Sequence, residues 1–145
     1  MGFINKSIRW EYSVYPKRAN LRSGGFRRLM TEAKFSKQVV KYLEDKGAVV
    51  NVNTGSMFER VGRADVEVCY KGHFLALELK VGNYQPDPLQ VHYLQDVRNA
   101  GGIGLLLRDN IHELMLVVHM IDNGVLQQYE QPELPEIELG GIIYD

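Results

Sequence analysis

The chain has 145 residues, 45% of them apolar and 24% charged. Those proportions exclude wholesale disorder, and the length suits one domain that can bury its own core without disulfide or metal staples. The formal net charge of −1 hides a polarised chain, basic at its start and acidic at its end, which points to a polyanion-binding arm and an acidic tail.

The basic arm comes first. Residues 1–30 hold Lys6, Arg9, Lys17, Arg18, Arg22, Arg27 and Arg28 against one acid, Glu11. Within it, residues 8–15 alternate imperfectly and suit a short strand, with Trp10, Tyr12 and Tyr15 read as packing rather than base-stacking groups. Ser23-Gly24-Gly25 is a flexible break, and no apolar stretch resembles a signal peptide. Thr31 reads as an N-cap with Glu32 in the first turn, where the helix dipole favours an acid. Phe35, Val39, Tyr42 and Leu43 then form a helical apolar face that Gly47 ends. Ala48 to Asn53 reads as a strand, and a polar loop runs on to Arg63. Two further strands, Ala64–Tyr70 and His73–Lys80, flank Lys71-Gly72, which suits a two-residue hairpin turn. Cys69, the single cysteine, reads as a small core residue. One cysteine forms no internal disulfide and no cysteine-based zinc cluster, so a reducing, cytoplasmic setting is expected.

Asp87 followed by Pro88 has the pattern of an N-cap and a first-turn proline. The helix after it carries Tyr93, Leu94 and Val97 and stops at Gly101-Gly102. Ile103–Leu107 is a wholly apolar strand, as for one buried on both faces. It is also among the longest apolar runs, far too short to cross a bilayer. Ile111, Leu114, Met115 and Val118 mark a last helix, closed by Asn123-Gly124. Residues 109–145 carry eight acids and no Lys or Arg. The expected architecture is α/β, a mixed β-sheet flanked by helices in the order α-β-β-β-α-β-α. Three regions are expected: the basic arm 1–30, a core 31–124 and an acidic tail 125–145.

The hairpin carries the chemistry. A turn at 71–72 places Asp65 opposite Glu78, Glu67 opposite Ala76 and Arg63 opposite Lys80. Facing Cβ atoms on paired strands are about 4.5–5.5 Å apart, where two acids repel unless a cation lies between them. Two hard oxygen ligands at that spacing suit Mg²⁺, and the Leu79 carbonyl is an additional candidate ligand. Strand alternation places Glu78 and Lys80 on the same face as Asp65. The plain alternative is a half-solvated sheet face bearing charges. Glu32 precedes Phe35, Ser36 and Val39, and Gln90 precedes Tyr93, Leu94 and Val97, by the same three, four and seven residues. Each therefore sits on its helix's apolar stripe, where a buried polar group needs a partner.

The ordered set Glu32, Gly62-Arg63-Ala64-Asp65, Glu78-Leu79-Lys80 and Gln90 resembles the PD-(D/E)XK nuclease superfamily. More narrowly it resembles the VRR-NUC, or virus-type replication-repair nuclease, branch. Asn53-Thr54-Gly55, Leu89-Gln90 and Ala100-Gly101-Gly102 extend the likeness, which covers roughly residues 31–123. The family usually has proline before its first Asp, where this chain has Ala64; proline is not a ligand, so tolerance is expected. The resemblance implies a restriction-endonuclease-like core and phosphodiester hydrolysis in DNA with Mg²⁺, Mn²⁺ substituting. Asp65, Glu78 and the Leu79 carbonyl would hold the metal, and Glu32 would complete or orient its shell. Lys80 would position the attacking water and offset developing charge; as a base at pH 7 it would need a large drop from its ordinary pKa of about 10.4. Gln90 would hold the water, Lys80 or a backbone phosphate. Small members of the family resemble Holliday-junction resolvases. Four-way or other branched DNA, a homodimer, a role in DNA repair and a bacterial or phage-infected cell are therefore expected. The arm's basic residues and Arg63 would bind DNA phosphates. Two alternatives stay open: a DNA-binding module without catalysis, and an interaction protein working through its acidic tail.

Overall fold

The computed structural model describes residues 30–55 and 61–136. The expected strand at 8–15, the basic residues of the arm and the end of the acidic tail lie outside them. Contacts divide the chain into two compact units, with His112–Tyr129 in one and residues 30–111 and 130–136 in the other.

The larger unit is built on a four-stranded mixed sheet. Helix α1 (Glu32–Asp45) precedes strands β1 (Val49–Val52), β2 (Val66–Tyr70) and β3 (His73–Lys80); helix α2 (Pro88–Asn99) and strand β4 (Ile103–Arg108) follow. Strand order is β1-β2-β3-β4, antiparallel except for the parallel β3–β4 pair. The expected succession of helices and strands is the one observed.

Local chemistry explains the elements. Thr31 caps α1, its hydroxyl accepting from the Lys34 N–H at 3.2 Å, and Phe35, Val39 and Leu43 are buried. Lys71 and Gly72 both adopt positive φ (46° and 81°), as a tight hairpin turn of matching twist requires. At α2, Asp87 is the N-cap and Gln90 closes a capping box with it. Helix α1 packs on β1 and β3, and α2 on β3 and β4. Ala64 and Ala76 meet Leu94 and Val97 in a buried cluster that Tyr93, Leu106 and Leu134 flank.

Strand β3 is buried on both faces from Leu75 to Leu79, so the half-solvated sheet face does not hold. Cys69 departs from the expected core position and is exposed. It pairs with Phe74, which is also exposed, near the turn.

The acidic segment begins as a bound strap. Gln131 accepts from the Gly104 N–H at 3.0 Å and donates to the Gly102 carbonyl at 3.2 Å. Its carboxamide thus occupies the place of a neighbouring strand on edge strand β4, satisfying groups that would invite another chain.

The smaller unit contains helix α3 (His112–Asp122) and a 3-10 turn (Leu126–Gln128). Leu114, Met115, Val117, Val118, Met120 and Ile121 of α3 are buried. The Tyr129 hydroxyl donates to Glu113 at 2.5 Å, tying the turn to the start of the helix.

Candidate functional site

The site forms where β2 and β3 part. The ladder between them begins at Val66↔Leu77, so Asp65 sits one residue outside it, in a bend. Beyond that point β3 continues against β4, pairing Glu78 with Leu106 and Lys80 with Arg108. The gap thus lies at the carboxyl end of a parallel strand, where open α/β sheets commonly bind ligands.

Asp65 is turned across the gap. Its carboxylate accepts the Leu79 N–H at 2.9 Å, where ladder pairing has ceased. The N–H and C=O of a strand residue point the same way, so the Leu79 carbonyl faces the same gap. The register expected from the turn therefore holds as far as Val66, and the Asp65–Glu78 juxtaposition survives as a side-chain arrangement rather than a ladder pair. Arg63 does not oppose Lys80; its guanidinium is turned to Glu67.

Glu78 is fully buried. Neither of its oxygens accepts a hydrogen bond among the described residues. Lys80 Nζ lies 3.0 Å from Oε1, an ion pair without hydrogen-bond alignment. Burial, and then the negative charge of Asp65, push Glu78 up to about 8. For Lys80, burial works downward, but the Glu78 carboxylate, with Asp65 and Glu32 adding, outweighs it and the net shift is upward. Lys80 is accordingly an ammonium at neutral pH, suited to stabilising negative charge and not to taking a proton.

The exposed Glu32 at the start of α1 is near enough for its charge to act on Lys80. It does not complete a ligand cluster: no group of three or more His, Cys, Asp or Glu gathers among the described residues. The structure thus brings together Asp65, Glu78, Lys80 and, through its field, Glu32. Gln90 is half-buried and its Oε1 accepts the Asp87 N–H at 2.9 Å, which commits that end of the carboxamide to capping α2.

Two carboxylates and a carbonyl are a hard-oxygen donor set. Lys80 offsets charge at Oε1, yet neither Glu78 oxygen has an aligned hydrogen bond among the described residues, and an under-satisfied buried carboxylate is costly. Mg²⁺ typically takes one or two carboxylates and keeps several waters, so the residues present fit such an ion.

Sequence reasoning missed a second cluster beside the site. Glu67 is 7% exposed and accepts from Arg63 Nε at 2.6 Å and Nη2 at 2.5 Å, and from the Tyr93 hydroxyl at 2.5 Å. Burial opposes its ionisation, yet the Arg63 and Tyr93 hydrogen bonds hold it below the usual carboxylate range. Burial and the same carboxylate push Tyr93 up to about 12. The available signal was parity: Glu67 shares its strand face with Asp65, and Tyr93 lies three residues after Gln90 on the same stripe.

No family model matches this chain, and no curated protein does. Among solved structures the chain is similar to Hjc, a Holliday junction resolvase from the archaeal hyperthermophile Archaeoglobus fulgidus, with a TM-score of 0.42 and 18% identity. The match covers 52% of this chain and 65% of that one.

Proposed function

We propose that the chain is a divalent-metal-dependent nuclease of the PD-(D/E)XK type, hydrolysing phosphodiester bonds in DNA. One observation carries the reading: Glu78, fully buried and with neither oxygen in an aligned hydrogen bond among the described residues, sits beside Asp65 and the Lys80 ammonium at the end of β3. Mg²⁺ is the fitting ion, with Mn²⁺ as its substitute, held by Asp65, Glu78 and the Leu79 carbonyl. Such an ion would polarise a phosphoryl oxygen and lower the pKa of a water. The Lys80 ammonium offsets negative charge growing on the phosphate oxygens, and Glu32 helps keep it protonated. Gln90, its carbonyl end engaged, offers its amide N–H groups to a phosphate or water.

The motif set Glu32, Asp65, Glu78-Leu79-Lys80 and Gln90 supports the narrower reading of a VRR-NUC-like, resolvase-like endonuclease. Its substrate would be branched DNA, cut by a homodimer whose two-fold places paired nicks. The deciding experiment is cleavage of a four-way junction and a matched linear duplex in Mg²⁺, Mn²⁺ or EDTA. We expect metal-dependent cutting that Asp65→Ala and Glu78→Ala each reduce by about a hundredfold to a thousandfold, the scale of losing a charge-stabilising group. Both variants should keep the wild-type circular dichroism. Undiminished cutting by both would overturn the site assignment. Equal rates on the two DNAs would remove the branched-substrate reading but leave the nuclease.

A further inference from the structure

The segment that carries Asp65 is held at every residue. Gly62 (φ 80°) lies so close to α2 that an added Cβ would fall 2.8 Å from the Leu89 backbone carbon. The Ala64 side chain is buried in the core cluster, and its carbonyl accepts from Asn53 Nδ2. The Asp65 carbonyl accepts the Asn53 N–H at 2.9 Å. Arg63, between Gly62 and Ala64, forks onto Glu67, which Tyr93 ties to α2.

We infer that Glu67 and Arg63 are positioning residues: the half-buried fork fixes the 62–65 bend and so holds the Asp65 carboxylate at the spacing from Glu78 that a divalent cation needs. The inference rests on the metal-site reading above and extends it to two residues behind the proposed ligands. The geometry is that of an outer support. The carboxylate–guanidinium pair is bidentate and charge-assisted, which gives direction as well as strength. It lies two residues from Asp65 on both sides, one partner before the bend and one after. Groups that orient metal ligands from behind change metal affinity about 10–100-fold when altered.

Arg63→Lys is the informative substitution, because it preserves both charges and removes the bidentate fork. Glu67→Gln preserves shape and the Tyr93 contact but removes a charge. Mn²⁺ binding is measured by titration calorimetry on the whole chain, beside thermal unfolding in EDTA and cleavage at rising Mn²⁺. We expect Arg63→Lys to weaken Mn²⁺ binding about tenfold, with cleavage restored to near the wild-type rate at saturating metal. Glu67→Gln should weaken it further. Should Glu67→Gln fail to fold, Arg63→Lys alone decides. A lower unfolding temperature with unchanged Mn²⁺ affinity in Arg63→Lys would overturn the inference and leave the fork structural. A loss of rate that saturating Mn²⁺ does not restore would overturn it too. Asp65→Ala separates the two levels: if it abolishes Mn²⁺ binding while Arg63→Lys does not alter it, the metal site stands and the positioning role falls. No Mn²⁺ binding by the wild-type chain would overturn both.

Discussion

At the scale of single residues, Glu78 is the unusual group. A carboxyl normally near 4.5 is pushed up to about 8, by burial first and by Asp65 second. Between those values the folded protein holds a proton that the unfolded chain has released. Stability therefore falls as pH rises through this window. In EDTA the unfolding temperature should drop between pH 5 and pH 8.5, and Glu78→Gln should remove that component of the drop. A metal-free wild-type profile no steeper than that of Glu78→Gln would show that Glu78 ionises normally. Glu67, two residues from Asp65, behaves oppositely because Arg63 and Tyr93 donate to it. Two buried carboxylates on one strand-pair face thus shift in opposite directions: burial opposes ionisation of both, and the Arg63 and Tyr93 hydrogen bonds reverse the outcome at Glu67. Their residue type and alternation were legible in the sequence; their protonation was not, because burial and donor geometry set it.

At the scale of elements, the decisive feature is that β2 ends before β3 does. Strand β2 begins at Val66 while β3 continues to Lys80, which opens the gap that Asp65 and Leu79 border. The bend preceding β2 is locked by Gly62 against the start of α2. Gly62→Ala would place a side chain at φ 80° and within 2.5–2.9 Å of Leu89 atoms, two of them backbone. We expect a loss of about 2–4 kcal/mol in urea unfolding, with metal affinity falling as well. A loss below about 0.5 kcal/mol, the level of an ordinary surface change, would show that the bend relaxes easily. The turn at 71–72, the caps at Thr31 and Asp87 and the apolar stripes of α1 and α2 were legible from local chemistry. The capping box that engages Gln90 has its signature in the same three-residue spacing, but a Gln on a buried stripe reads equally as a site residue. Only the observed donor to its Oε1, the Asp87 N–H, shows its capping task.

At the scale of the whole molecule, charge is distributed so that its ends act differently. The arm's seven basic residues lie outside the described part, and their charge suits them to DNA phosphates. Each phosphate neutralised adds about −0.9 to the slope of log affinity against log salt on duplex DNA. Removing residues 1–28 should weaken junction binding in filter or anisotropy assays and flatten that slope by several units; an unchanged slope would assign the arm to packing. The acidic end behaves otherwise in its described part. Gln131 is bound along β4 and Leu134 flanks the core cluster, so this stretch covers an edge strand as well as carrying charge.

The sequence by itself determined the succession of elements, the hairpin register from Val66 onward and the group Asp65, Glu78 and Lys80. Each follows from short-range rules: helical periodicity, strand alternation, and the φ values that Lys71-Gly72 must adopt. The tertiary structure decided the rest. It took the donors away from Glu78, gave Arg63 to Glu67 instead of to the open surface, left Cys69 outside the core and laid Gln131 on the sheet edge. Those outcomes depend on which distant segments meet and on how much water each meeting excludes, and neither quantity is encoded at any one position along the chain.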